Sequence, residues 1–510
     1  VGFEESLGDP SDPNTPESDL RALSTSEVDE ILVAVAGNPS TPVDIIEKFL
    51  VNEDRWIESD VFLPASEYSA WGTWDAAASN PSLPPERISQ LADSLEARVQ
   101  FGLVSNPATP DDVLIKLYDD EFTREGSSGD NDEWWISKLL LQRPVLSDTV
   151  MIHIAQAPDV VLPVSPGEWY SVKAQLAARK DCPAYLMEMF IRNPNESRFT
   201  QIKLALSENP STPSELLLKL ASDPEALVRT QLASNPSIPP EVLSQLAEDA
   251  DQIVRGSAAG NSSTPSELLL KLASDPEAIV RTWVANNPAI PPEVLNQLAG
   301  DVDEGVRVAV ARNASTSPDA LNQLAGDTED EVRLAVASNS STPPEVLNQL
   351  AGDAEDEVRL AVASNSSTPP EVLNQLAGDA DEGVRAAVAS NSSTPPEVLN
   401  RLAGDTEVEV RWAVAENPSS PPEGLTQLVE DADEDVRWAV ASNSSTPPEV
   451  LTQLAEDADE DVRKAVASNS STPPEVLTQL AEDPAQWVKR RVARNPSTPP
   501  GVSAKLLDIL

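Results

Sequence analysis

The stretch VRLAVASNSSTPPEVLNQLAGDAEDE, from Val332 to Glu357, recurs with small edits every 26 residues. Its opening apolar-basic pair returns at Ile202, Val228, Val254, Val280, Val306, Val332, Val358, Val384, Val410, Val436, Val462 and Val488, twelve copies in strict register. A unit this short cannot bury a core alone, and a period in this range marks a solenoid whose neighbours stack. Positions in the unit are counted here from 1, at the valine, to 26.

Within one unit, Thr342-Pro343-Pro344-Glu345 reads as a capping box with proline in the first turn, so a helix is expected to start there. Val346, Leu347 and Leu350 make its buried stripe, with Asn348 and Gln349 turned away, and the helix fades at Gly352. Asp353, at position 22, is expected to cap a second helix that runs through Val358 to Ala363. That second segment alternates enough to be a strand, which would bury positions 1, 3 and 5 together. Position 3, however, holds Thr230, Gly256, Thr282, Lys464 and Arg490 in other copies. Positions 1, 4 and 5, one helical face, stay apolar apart from Gln231, Ser257 and Arg491, and this favours helix. Neither helix reaches the length needed for stability in isolation, so folding is collective.

The pattern VRxAVAxNPxTPPExLxxLAxD, seen from Val436 to Asp457 and from Val410 to Asp431, resembles the bacterial leucine-rich repeat variant family. The resemblance implies an all-α fold: a right-handed superhelical solenoid of two-helix repeats, alternating α-helices with short 3-10 helices. It extends from Ile31 onward, with about 17 repeats once looser copies are counted. The family has no shared active site to carry over. One type of member carries an iron-sulfur cluster on an N-terminal cysteine motif; Cys182 is the only cysteine here, so a four-cysteine cluster cannot form within the chain.

Composition agrees with a thin, repetitive core: 40% hydrophobic residues and only 4% aromatic. A single cysteine excludes a disulfide framework and fits a reducing compartment, so a cytoplasmic location is expected. No apolar run approaches a membrane span, so no membrane insertion is expected. A net charge of −50 argues against a nucleic-acid partner, which would draw on clustered Lys and Arg.

Three regions are expected. Residues 1–30 are acidic and Pro- and Ser-containing, an N-terminal tail or cap. Residues 31–201 hold irregular repeats starting near Ile31, Thr73, Val99, Ile136 and Val172, and Arg143 and Arg179 stand where Asn is usual in the last two. Residues 202–510 are the regular array. Insertions around Trp56 to Asp60, Phe122 to Trp135 and Pro158 to Tyr170 interrupt the irregular part. Insertions in a solenoid emerge as loops on one face, often the binding face; the other reading is that Trp71, Trp74, Trp134, Trp135 and Trp169 fill an end of the array.

In the regular copies position 2 is always Lys or Arg and positions 22 to 26 are acidic, so ion pairing between the rows is expected. Position 8 is always Asn, from Asn209 to Asn495, which reads as a helix-ending ladder in the left-handed conformation. The Asn-x-Ser pattern there is a by-product of that ladder. Asp379 to Gly383 looks faintly like a calcium loop but is too short and lacks the distal bidentate Glu. His153, the sole histidine, has no partner for a metal cluster or a catalytic triad. Phosphate-cradling glycine loops and paired catalytic cysteines are missing, so neither an enzyme nor a cofactor site is expected.

The remaining expectation is a non-enzymatic scaffold for protein or peptide recognition, with a structural spacer or self-assembling surface element as the alternative. Variation between near-identical copies concentrates at position 3: Leu334, Leu360, Ala386, Trp412, Trp438, Lys464 and Arg490. Position 3 lies about 200° from position 1, on an exposed ridge. Trp412, Trp438, Lys464 and Arg490 are the candidate partner-binding residues, extended by Glu416 and Arg494 at position 7.

Overall fold

The computed structural model describes residues 7–26, 28–51, 68–93, 97–123, 135–158, 161–165, 168–192 and 199–509. They form a solenoid of helical repeats, divided into two units, Val1–Leu246 and Ala247–Leu510. Each regular repeat contributes a long helix, such as Asp330–Ser338, and a short one, such as Pro344–Leu350.

The short helix begins one residue later than the capping box requires. Pro343, extended at φ −62° and ψ 149°, is the N-cap and Pro344 the first helical residue, so no side-chain cap forms. Two prolines in succession push the start past Thr342, whose hydroxyl instead donates to the carbonyl of Val336 at 2.6 Å. It thereby adds a second bond to a carbonyl near the end of the preceding long helix, which also accepts from Asn339 N–H at 3.1 Å. The short helices are α rather than 3-10: Leu347 N–H bonds Pro343 and Ala351 N–H bonds Leu347, both four residues back. The long helix also starts later than read. Its cap is position 24, where Asp381 accepts from Val384 N–H at 2.9 Å. The position-22 aspartate Asp353 accepts instead from the N–H of Glu355, the cap residue of its own repeat.

In the Ala247–Leu510 unit consecutive long helices pack on one another, from Gln252–Gly260 to Gln486–Arg494. Val332, Ala335, Val336 and Ala337 of one long helix are buried with Val346, Leu347 and Leu350 of the following short helix. Each fully buried Val or Leu stabilises by roughly 1.5–3 kcal/mol relative to exposure, and repetition makes that core continuous along the unit.

In the Val1–Leu246 unit, Leu20 and Leu23 of the helix Glu17–Leu23 are buried with Val35 and Ile45. One departure from all-α architecture is an antiparallel hairpin, Val161–Ser165 with Glu168–Ser171, in the insertion from Pro158 to Tyr170. Trp74 is half-buried. Trp56 to Asp60, Trp134, most of the Phe122 to Trp135 insertion, and the side chains of Trp71, Trp135 and Trp169 lie outside the described residues.

Candidate functional site: the outer face of the long helices

Two polar ladders hold the long helices in register. At position 8, Asn365 donates its amide to the carbonyls of Ala337 at 2.8 Å and Asn339 at 2.9 Å, both in the preceding repeat. Its Oδ1 accepts from Ser367 N–H at 2.9 Å. The backbone of Asn365 is extended, φ −70° and ψ 125°, not left-handed, because the residue leaves the helix toward the turn while its side chain reaches back. Arg143 does the same work: Nη1 donates to Val104 and, at 3.0 Å, to the Asn106 carbonyl. Arg179 repeats it on Leu141 and Arg143. The ladder also reaches residues near the start of the chain, since Asn38 donates to Pro10 and Asp12, each at 2.8 Å.

The second ladder pairs position 2 with position 22. The Arg333 fork meets Asp353 at 2.7 and 3.0 Å, while Nη1 donates to the carbonyl of Asp327, one repeat back. The same bridge recurs from Arg255–Asp275 to Arg463–Asp483. Hydrogen bonding to Arg359 holds the Asp379 carboxyl below its usual range against the opposing effect of burial, and Arg359 is raised in turn. In the N-terminal unit Lys203 takes the arginine's place, 2.9 Å from Asp223 and 3.0 Å from Glu225. The expected row-to-row pairing is therefore present. It also uses the acids of the calcium-like stretch: Asp379 binds Arg359 and Asp381 caps a helix.

Above this framework lies the ridge of position-3 residues. Trp412 and Trp438 sit on the consecutive packed helices Val408–Glu416 and Glu434–Ser442 and are 38% and 39% exposed. Along the ridge Leu360, Trp412, Trp438 and Arg490 are exposed, while Leu334, Ala386 and Lys464 are half-buried. Position 26 of the same repeat, in the first turn of the next long helix, closes against it: a Cβ on Gly383 would stand 3.3 Å from Leu360 Cδ1. Lys464, on Glu460–Ser468, is engaged by Asp461 at 2.6 Å. Arg490 lies 4.9 Å from the centroid of the Trp487 ring, a cation–π contact. Glu416 and Arg494 are exposed at the last residues of their helices.

Sequence reasoning missed Trp487, 61% exposed at position 26, where neighbouring copies carry Glu409, Asp435 and Asp461. That break in an acidic row is the signal that could have found it. It also missed Trp283, whose ring lies along Gly256 and Gly260 of the preceding long helix.

Elsewhere, His153 Nε2 lies 2.7 Å from Asp119 Oδ1, its ring edge-on to buried Tyr118. Cys182 is buried, and burial with Asp181 nearby pushes its thiol up to about 12, so it holds little reactive thiolate. Among the described residues no helix is long and apolar enough to cross a membrane.

The fold and its ladders define a repeat scaffold, a solenoid of helical units. A family profile described as Leucine Rich Repeat Variant domain matches residues 331–392, and one described as Leucine rich repeat variant matches 226–251, 382–407, 434–459 and 460–485. A solved structure described as a leucine-rich repeat variant with a novel repetitive structural motif is 30% identical over 43% of this chain and 87% of its own, with TM-score 0.35. YibA of Escherichia coli is 20% identical over 48% of this chain and 96% of its own, TM-score 0.28. UNC-45 from Drosophila melanogaster is 14% identical over 98% and 93%, TM-score 0.24. No curated protein matches the chain. The chain belongs to the leucine-rich repeat variant family.

Proposed function

We propose that the protein is a non-enzymatic scaffold that recognises a protein or peptide through the outer face of its long helices from Val408 to Arg494. Trp412, Trp438, Lys464 and Arg490 are the contact residues, with Glu416 and Arg494 at the margin. The observation that carries this reading is the pair Trp412 and Trp438: two half-exposed rings at one position of consecutive, packed helices, in a chain with 4% aromatics. Tryptophan and arginine dominate binding energy at interfaces, the first because a large, stiff ring covers area at little entropic cost and the second because its planar guanidinium offers several donors in a fixed fork. The ladders beneath keep the backbone of this face fixed, which lowers the ordering cost of association. A net charge of −50 disfavours nucleic acid as the partner, and the reading needs no cofactor.

The test is hydroxyl-radical footprinting of the full chain with and without a peptide selected on it from a random library. Protection of Trp412 and Trp438 is expected. Protection elsewhere with both rings unchanged would leave the array a spacer or move the site.

A further inference from the structure

From Pro484 to Leu507 the chain carries Lys489, Arg490, Arg491, Arg494 and Lys505 and no Asp or Glu, although the whole protein has a net charge of −50. Four of these cations lie on the helix Gln486–Arg494. At about 100° per residue, Trp487, Arg490, Arg491 and Arg494 fall within one arc of roughly 100°. All four are exposed.

The ladder engages position 2 alone, so Arg490, Arg491 and Arg494, at positions 3, 4 and 7, lie outside it, and Lys489 at position 2 has no aspartate at the ladder's spacing. The partner aspartate lies twenty residues on from the cation, and for Lys489 that residue is Ile509. Arg491 replaces the alanine that is buried as Ala335, Ala413 and Ala439 in other copies. Among the described residues Arg490, Arg491 and Arg494 make no ion pair, and Arg490 is held against the Trp487 ring instead. Three guanidinium groups and an exposed indole therefore stand together, with no carboxylate paired to them among the described residues.

We propose that this helix face is an anion-recognising site for a short acidic peptide segment, whose carboxylates pair with Arg490, Arg491 and Arg494 while an apolar side chain packs on Trp487. The inference rests on the reading of the long-helix face as a recognition surface and names the chemistry of the partner. Guanidinium forks match carboxylates with two parallel bonds, and a stacked guanidinium keeps its donors free for them. Size sets the ligand. The stripe from Trp487 to Arg494 is about 10 Å long, room for two to four carboxylates. The stretch before this helix carries the exposed acids Glu460, Glu475 and Glu482, and the net charge of −50 opposes a continuous polyanion such as nucleic acid.

The experiment titrates the full chain into a fluorescein-labelled peptide of one leucine followed by four glutamates, at about 50 mM and about 300 mM salt. A glutamine version of the peptide and a single-stranded DNA of about ten nucleotides are the controls. The glutamate peptide is expected to bind, to weaken at the higher salt, and to lose about tenfold in affinity to the Arg491→Ser/Arg494→Ser variant at unchanged helical content. Glutamate binding no better than glutamine, an unaffected arginine variant, or tighter binding of the oligonucleotide would each overturn the proposal. The broader recognition reading fails separately. A Trp412→Ala/Trp438→Ala variant that keeps its affinity for a library-selected peptide removes the tryptophan ridge without touching the glutamate titration.

Discussion

The Arg359 guanidinium closes on both carboxylate oxygens of Asp379, Nε at 2.7 Å from Oδ2 and Nη2 at 3.0 Å from Oδ1, twenty residues along the chain. Its third nitrogen holds the carbonyl of Asp353 at 2.9 Å. One side chain thus ties the loop before its own helix to the loop before the next. Arg359→Ala leaves a largely buried carboxylate unpaired. It is expected to cost about 2 kcal/mol, less than for a deeply buried pair because both groups touch solvent. Hydrogen exchange should locate the loss in the repeats flanking Asp379, and uniform loss along the unit would contradict a nearest-neighbour ladder.

Acid should act in two stages. Asp379 and Asp405 are lowered from 3.8, first by their arginine bonds, against the opposing effect of burial. A depressed carboxylate contributes stability that is fully present above its unfolded value and is lost as pH falls through the folded one. Mild acidification first relieves the self-repulsion of a −50 chain. Melting temperature is therefore expected to rise from pH 7 to about 5 and to fall below about 4. A rise continuing to pH 3 would show that the ladder is not stabilising.

Asn365→Ala removes both amide bonds to the preceding repeat and the bond to Ser367. About 2 kcal/mol of destabilisation is expected, since buried carbonyls lose their donor. Asn365→Arg is expected to recover part of this, as Arg143 and Arg179 already fill that role. Denaturant melts of the three forms decide it.

Gly260→Ala places a Cβ 2.5 Å from Trp283 Cε3, so the ring must leave its seat on the preceding helix. Overpacking of this kind costs about 1–3 kcal/mol. A red-shifted tryptophan emission should accompany the loss, whereas an unchanged spectrum would mean that the ring is not packed there.

The period, the helix pair and the buried positions were legible in the sequence because the same Val, Ala and Leu return at fixed offsets. The caps were misplaced by one or two residues: two prolines shift the start past Thr342, and Asp353 is drawn to Arg333 instead of a helix end. The Asn row was visible, but its targets are backbone carbonyls a repeat away, which leave no mark in the sequence. For the same reason Arg143 and Arg179 read as degradation when they are replacements. The position-3 residues read as exposed from one helical wheel, but how far each is covered depends on position 26 of its own repeat, which lies in the next long helix and outside that wheel.

The most direct test of recognition by this face is the affinity of a library-selected peptide for the full chain and for Trp412→Ala/Trp438→Ala, with thermal melts of both. Loss of these two rings is predicted to weaken binding by more than about 2 kcal/mol, roughly thirtyfold, with little change in melting. Equal affinity of the two proteins would contradict the account.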